Sequence, residues 1–142
     1  MLIPVNLNEF LNQFKEQLNF INESNNLIRF GNLYKNNNLF KIPKIYKLSE
    51  NIIIMEYISG KSLETIDYNS MDYYKYHLNI FVFTNNNLYI NDFNHGDLHN
   101  YNWKITDDNK IVVYDFGLCW ELNNKNIMDT INLLNEGFYI ED

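Results

Sequence analysis

Three polar residues in the second half of the chain are of the right types to hold a metal ion and phosphate groups. Asp97 and Asn102 stand five residues apart in the string HGDLHNYN, and Asp115 opens the tripeptide DFG thirteen residues after Asn102. Carboxylate and amide oxygens are ligands that Mg²⁺ accepts, and phosphoryl transfer uses Mg²⁺ to spread the developing charge. We therefore predict that Asn102 and Asp115 bind metal, and that Asp97 orients an acceptor hydroxyl or takes its proton.

The combination of these two motifs is more specific than either one alone. A DFG tripeptide recurs by chance, but the pattern D-x-x-x-x-N followed by D-F-G is a signature of kinase-like phosphotransferases. The alternative interpretation is that His95, Asp97 and His99 are ordinary polar residues of a loop. We favour the phosphotransferase interpretation because both halves of the pattern occur at the expected separation.

The whole motif, H-G-D-L-H-x-x-N with D-F-G, resembles aminoglycoside phosphotransferases and the UbiB/ADCK-type atypical kinases. Segments further upstream resemble the central region of the UbiB/ADCK family in the same order; they are residues 17–26, 29–30, 42–46 and 54–61. The resemblance implies an α+β, protein-kinase-like fold, truncated at both ends. Its parts would be a partial small lobe, made of helix C and a hairpin, and a truncated helical large lobe.

The resemblance also implies a domain division and a role for each matching residue. Residues 1–142 would form one kinase-like domain, with the small-lobe remnant and hinge in residues 1–57 and the catalytic-loop lobe in residues 58–142. Asp97 would be the catalytic-loop aspartate, and Asn102 and Asp115 would bind Mg²⁺. The residues that would contact ATP are Glu23 of helix C, which pairs with a lysine in the family, and the hinge residues Met55, Glu56, Tyr57 and Ile58.

Some features of the family have no counterpart in this sequence. We find no glycine- or alanine-rich phosphate loop, no lysine in a strand before Glu23 and no K-x-G-Q element, and the family's E-x-D motif reads Gln17-Leu18-Asn19. The loss of one preorganised group that stabilises charge lowers the catalytic rate by a factor of about 10²–10³. We expect a phosphotransferase domain that binds Mg-ATP but is weak or inactive as an isolated chain. A protein partner or a neighbouring reading frame would supply the missing part.

Hydrophobic spacing predicts the elements that position the motif. Apolar residues at intervals of three and four predict a helix over residues 7–34 with a break near Asn22, a largely buried helix over residues 71–83, and a terminal helix from about Asn124. On the helix over residues 71–83, Tyr74, Leu78 and Phe81 share one side. Residues 88–90 are predicted to continue this helix after a distortion. The pattern of residues 43–57 predicts a hairpin whose second strand begins at Ile52 and is buried. A second hairpin is predicted from residues 103–105 and 111–114.

Charge and cysteine content restrict the partners and the compartment. The net charge of −7 and the pI near 4.8 argue against a nucleic-acid partner, which requires a basic surface. A single cysteine, Cys119, favours an intracellular and most simply a cytoplasmic location, and we interpret it as a small buried hydrophobic residue. The longest apolar runs are far shorter than the ~20 residues of a transmembrane helix, so none is expected.

Two other functions are compatible with the same residues. A pseudokinase-like module would keep the fold in order to bind a nucleotide or a protein without catalysis. A metal-dependent phosphoesterase would use the H-x-D-x-H string of His95, Asp97 and His99 as metal ligands. The second alternative is less favoured because such enzymes need further histidines downstream, and no histidine follows His99.

Overall fold

The computed structural model describes residues 19–121, and these residues form helices, short strands and two irregular turns. The helices are α1 (Phe20–Leu33) and α2 (Met71–Asn86), and α2 continues into a π-helical turn at Asn87–Asn91. A 3₁₀ turn lies at Leu63–Thr65. The strands are β1 (Phe40–Lys41), β2 (Ile45–Ser49), β3 (Ile52–Met55), β4 (Asn94–His95), β5 (Trp103–Ile105), β6 (Ile111–Val113) and β7 (Cys119–Trp120).

Helix α1 begins at an asparagine cap. The Asn19 Oδ1 atom accepts hydrogen bonds from the backbone N–H groups of Ile21 (3.0 Å) and Asn22 (3.3 Å). This cap satisfies two of the N–H groups that a helix start leaves without partners. The helix runs through Asn22 to Leu33, so the predicted break near Asn22 is wrong; the boundary lies at the cap. The part of the predicted helix before residue 19 lies outside the described residues.

The predicted hairpin over residues 43–57 is confirmed. Strands β2 and β3 pair antiparallel, from Ile45 opposite Met55 to Ser49 opposite Ile52, with an irregularity after Ile45. The prediction that the second strand is buried is wrong, because Ile52 and Ile54 are 58% and 47% exposed. Helix α1 packs on one face of this two-stranded sheet. A sheet that is covered on a single face buries every second side chain of a strand and leaves the others exposed.

Helix α2 begins at Ser70, whose Oγ accepts a hydrogen bond from the Tyr73 N–H at 3.2 Å. Its continuation beyond Asn86 is confirmed as the π-helical turn. The prediction of a largely buried helix is wrong. Its fully buried residues are Tyr76 and Phe83, while the side predicted from the apolar spacing is exposed, namely Tyr74, Leu78 and Phe81. Apolar residues occur all around this helix, so spacing alone does not select the buried face.

The second predicted hairpin is confirmed and belongs to a three-stranded sheet, with β6 in the centre and β5 at one edge. Strand β6 pairs antiparallel with β5 and parallel with β1, and all three β6 residues are fully buried. Phe30 of α1 is fully buried between elements, with its ring centroid 4.9 Å from that of Phe93, 5.0 Å from that of Phe116 and 5.8 Å from that of Phe83. This aromatic cluster joins α1, α2 and the DFG segment into one core.

Two further sequence predictions concern the C-terminal helix and membrane-spanning helices. The terminal helix predicted from about Asn124 lies outside the described residues. Across residues 19–121, no helix combines the length and the apolar character that crossing a bilayer requires.

Candidate active site

Strand pairing brings the three predicted site residues into one region. Strands β4 and β7 pair antiparallel, and next to them the Gly96 N–H donates to the Leu118 carbonyl at 2.7 Å. These bonds place the loop that carries Asp97 beside the segment that carries Asp115. The Tyr114 N–H donates to the Asn102 carbonyl at 2.8 Å, so the residue just before Asp115 is also tied to Asn102.

The Asn102 side chain is buried and held in one orientation. Its Nδ2 donates to the Asp97 backbone carbonyl at 2.8 Å and lies 3.4 Å from Asp97 Oδ2. A carbonyl oxygen only accepts hydrogen bonds, so this contact assigns the amide nitrogen to that side. Among residues 19–121, no donor reaches the Asn102 Oδ1 atom. That oxygen is therefore available as a ligand.

Asp115 has an unusual backbone conformation at the end of its strand. Its φ of +54° lies in the left-handed region, which aspartate tolerates better than most residues. One carboxylate oxygen accepts a hydrogen bond from the Gly117 N–H at 3.3 Å, and the residue is exposed. Such conformations are enriched at functional sites, where the surrounding structure maintains them. Here the conformation turns the chain sharply between buried Val113 and buried Phe116.

His95 connects the two halves of the motif. Its Nε2–H donates to the Tyr114 carbonyl at 2.9 Å, and its Nδ1 accepts from the Asp97 N–H at 3.2 Å. One donor and one acceptor require the neutral ring, and burial lowers the pKa of His95 below its ordinary value, against smaller opposing effects from the Tyr114 carbonyl and Asp115. Sequence reasoning considered His95 only as a metal ligand of a phosphoesterase or as an ordinary loop residue, and missed this connecting role; its position two residues before Asp97 was the available signal.

The lowered pKa of His95 predicts a loss of stability in mild acid. As the pH falls through the ordinary value of 6.5, the unfolded chain takes up a proton that folded His95 resists, so the free energy of unfolding decreases. We expect urea unfolding to show this decrease between about pH 7 and pH 5.5, and His95→Gln to flatten it. His77→Gln, on an exposed position of α2, is the control and should keep the slope. An unchanged slope in His95→Gln would contradict the assignment.

Gly96 allows the loop to approach the DFG segment closely. A Cβ atom at this position would lie 2.8 Å from Leu118 Cγ and 3.1 Å from the Leu118 carbonyl. We expect Gly96→Ala to lower the free energy of unfolding by about 1–3 kcal/mol, because overpacking shifts neighbouring atoms. Gly31 is the matched control: its Cβ would meet no heavy atom within 4 Å. Gly31→Ala should stabilise α1 by about 0.5–1 kcal/mol, as measured by chemical unfolding.

Glu23 lies near the same region, on α1. Burial raises the pKa of Glu23, and the nearby charge of Asp115 raises it further. The charges of Glu23 and Asp115 therefore interact. Cys119 is partly buried against the core, and burial, followed by the charges of Asp115 and Glu23, raises the pKa of its thiol to about 12. The thiol is therefore protonated and unreactive at neutral pH, in agreement with its interpretation as a small hydrophobic residue.

The segment predicted as the hinge is attached to the strand end before Asp115. Met55 ends β3, and the Glu56 N–H donates to the Lys44 carbonyl at 2.7 Å. The Tyr114 hydroxyl donates to the Ile58 carbonyl, and Tyr57 is 86% exposed. Residues 55–58 therefore lie beside the residue that precedes Asp115. Sequence reasoning missed Tyr114, because only its position before the DFG tripeptide distinguishes it from ten other tyrosines.

Helix α1 is fastened to the DFG segment by side chains that sequence reasoning also missed. The Asn26 Nδ2 donates to the Phe116 carbonyl at 2.8 Å. Arg29 forms an ion pair with Glu121 and lies over the Phe93 ring, with its guanidinium carbon 3.9 Å from the ring centroid. In a chain so rich in asparagine, nothing in the sequence singles out Asn26.

The available ligands fit magnesium bound together with phosphate better than a metal held by protein alone. Within the described part of the chain, no three His, Cys, Asp or Glu side chains come together as a metal cage. Asn102 and Asp115 offer oxygen ligands from two neighbouring loops. Mg²⁺ is commonly bound through one or two carboxylates with phosphates and water completing its shell. The donor set therefore fits Mg²⁺ that arrives with a nucleotide.

Comparisons with known proteins concern the fold and the family of this chain. The Rv3197–erythromycin complex from Mycobacterium tuberculosis superposes with a TM-score of 0.68 at 20% identity, over 92% of this chain and 35% of that one. Monomeric WbdD gives a TM-score of 0.46 at 20% identity, over 84% of this chain and 30% of that one. This chain therefore spans about a third of the length of either structure. No curated protein matches the sequence.

One structural match supports the fold, and a separate match to a family model shows the family. At 20% identity the Rv3197 structure shows the fold alone, and it supports the predicted α+β, kinase-like fold. The sequence of residues 3–142 matches the ABC1 atypical kinase-like domain. This is the UbiB/ADCK family that the motifs resemble, so the prediction of the family is confirmed. The chain belongs to the ABC1 atypical kinase-like family.

Proposed function

We propose that this chain is a phosphotransferase-type domain that binds a magnesium–nucleotide complex between the segment 55–58 and the loops carrying Asp97, Asn102 and Asp115. The observation that carries the proposal is the Asn102 amide, which Asp97 holds so that its Oδ1 remains free. A buried, oriented amide beside an exposed aspartate in a left-handed turn is a costly arrangement. Metal binding gives both residues a reason to adopt it.

Each residue has a distinct proposed role. Asp115 and Asn102 bind Mg²⁺, which spreads the charge that develops on the phosphates during transfer. Asp97 orients the acceptor hydroxyl, and His99 Nε2 lies 3.6 Å from its Oδ2 atom. His95 is a positioning residue, since the Asp97 N–H and the Tyr114 carbonyl occupy both of its ring nitrogens.

The segment 55–58 would contact the nucleotide base through backbone groups. The Glu56 N–H and the Ile58 carbonyl already have partners in Lys44 and Tyr114. Within residues 19–121, neither the Tyr57 N–H nor the Ile58 N–H donates a hydrogen bond to a backbone carbonyl. These two donors are the ones we assign to adenine, and ATP is the proposed nucleotide. We also propose that the domain divides at residue 57, with the small-lobe remnant and hinge in residues 1–57 and the catalytic-loop lobe in residues 58–142.

Charge balance leads us to propose low catalytic activity for the isolated chain. Glu23 and Asp115 are neighbouring carboxylates, and no ion pair reaches either one within residues 19–121. These carboxylates would repel the phosphates of a bound nucleotide, and Mg²⁺ alone would offset the repulsion. Positioning and charge stabilisation supply nearly all of the catalysis in phosphoryl transfer. We therefore propose that efficient turnover needs a cation supplied by a partner polypeptide, and that the chain alone acts as a nucleotide-binding module.

Electron paramagnetic resonance of Mn²⁺, used in place of Mg²⁺, tests the metal site. Because the protein supplies few ligands, we expect weak Mn²⁺ binding alone and clear binding when ATP is added. Asn102→Asp should retain the bound signal, and Asn102→Leu, which has a similar branched shape but no oxygen, should lose it. Equal Mn²⁺ binding with and without ATP, unaffected by Asn102→Leu, would contradict the proposed site.

A further inference from the structure

A concave groove lies along α1, the strands that follow it and residues 56–59. This groove has a volume of about 1120 Å³, and neither Asp97, Asn102 nor Asp115 lines it. Its apolar walls come from α1 and from the strands that follow; they include Leu27, Ile28, Phe40, Ile42, Ile45 and Leu48. The groove is therefore separate from the proposed metal site, although residues 56–58 border it.

The groove concentrates positive charge in an acidic protein. Four lysines line it, out of eleven basic residues in a chain of net charge −7; they are Lys35, Lys41, Lys44 and Lys110. Asp108 binds the ammonium groups of Lys41 at 3.0 Å and Lys110 at 3.6 Å. Glu56 is the acidic residue among the lining residues, and its carboxylate accepts from the Lys44 backbone N–H at 3.2 Å. The groove is thus lined by four lysines and one glutamate, and Asp108 pairs with two of the four lysines.

A glycine keeps the helix wall of the groove open. Gly31 lies inside α1 and lines the groove, and a Cβ atom there would meet no heavy atom within 4 Å. Glycine in a helix costs about 0.5–1 kcal/mol relative to alanine. Packing against the rest of the protein does not require this glycine, because the space beside it is empty. Glycine does allow a ligand to approach the helix backbone closely.

From these features we propose that the groove binds an acidic, amphipathic segment of a partner polypeptide. The excess of ammonium groups attracts carboxylates, and the apolar walls accept alternating hydrophobic side chains. The volume exceeds the ~300–1,000 Å³ typical of small-molecule pockets. A concave groove does not fit the flat surface of a membrane. The charge of −7 disfavours nucleic acid as the occupant.

The proposal is tested with a short fluorescein-labelled peptide in which Glu and Leu alternate, using fluorescence anisotropy. We expect saturable binding that weakens as salt increases. Gly31→Phe, which fills the groove, should weaken binding by about tenfold or more, and Lys35→Glu combined with Lys44→Glu should do the same. Gly31→Ala, which adds a single methyl group to the groove, should weaken binding much less than Gly31→Phe does. Thermal unfolding of each variant checks that it is folded.

Two results would overturn the proposal. One is equal binding of the peptide, or no binding, by the original protein and the charge-reversed variant. The other is binding of phosphatidylserine vesicles in preference to the peptide, which would make the lysines a membrane contact. Asp115→Ala should leave peptide binding intact, so failure here is distinguishable from failure of the proposed nucleotide site.

Discussion

Replacement of Asp115 by alanine should remove most Mg²⁺-dependent nucleotide binding, whereas Asp97→Ala should leave it nearly intact. Asp115 is proposed as a metal ligand, and contacts to charged groups contribute about 1.5–3 kcal/mol, which corresponds to tenfold or more in affinity. Asp97 is proposed to face the acceptor, so its loss removes no contact to the nucleotide. The measurement is the dissociation constant of ATP in the presence of Mg²⁺ for each variant.

Asp107→Ala is the matched control for this experiment. It removes the same charge from an exposed position in the turn between β5 and β6. Its ATP affinity should equal that of the original protein. Equal losses in the Asp97 and Asp115 variants would show that the two roles are wrongly divided. Equal losses in all three would show that net charge, and not a site, determines binding.

Phe30→Ala should lower the free energy of unfolding by about 3–5 kcal/mol, as for other large aromatic residues removed from a core. Phe30 is fully buried and contacts the rings of Phe83, Phe93 and Phe116. Total stabilities of domains are only about 5–15 kcal/mol. The loss is therefore a large part of the total, and urea unfolding followed by circular dichroism measures it.

Phe81→Ala provides the comparison, because Phe81 is a phenylalanine of α2 that is 64% exposed. We expect its free energy of unfolding to change by less than about 1 kcal/mol. Similar losses in the two variants would mean that the exposed side of α2 contributes to the core, contrary to the burial described above.

The loops of the site were predictable because their chemistry is local. The turn between β5 and β6 closes through Thr106, whose hydroxyl donates to the Lys110 carbonyl and accepts from the Lys110 N–H. Such side-chain bonds to nearby backbone are the reason that polar turn residues can be recognised in a sequence. The same hairpin separates Asn102 from Asp115 and returns the chain to one region.

Features that depend on distant contacts were not predictable in the same way. The buried side of α2 is selected by Phe30 and Phe40 packing on Phe83, and apolar residues on every side of the helix hid that choice. The role of His95 depends on the carbonyl of Tyr114, nineteen residues further along the chain. The true start of α1 was obscured by many asparagines, each of which is a possible cap.

The roles of the site residues remain predictions, while the structure defines where these residues lie. Asp97 and Asn102 are in direct contact, and His95 and Tyr114 connect them to the strand end before Asp115. The helix-C glutamate of the family pairs with a lysine that has no counterpart in this sequence, and within the described residues the charge that raises the pKa of Glu23 is that of Asp115. A cation that binds between these carboxylates is the simplest route to an active enzyme.

Isothermal titration of the protein with ATP, with Mg²⁺ and then with EDTA, tests the central claim most directly. The Asn102 and Asp115 oxygens are useful to a nucleotide only through a metal ion, since they would otherwise repel the phosphates or contribute little. We predict saturable ATP binding in Mg²⁺ and a loss of about tenfold or more in EDTA. ATP affinity that is the same in Mg²⁺ and EDTA, or no ATP binding in either, would contradict the account.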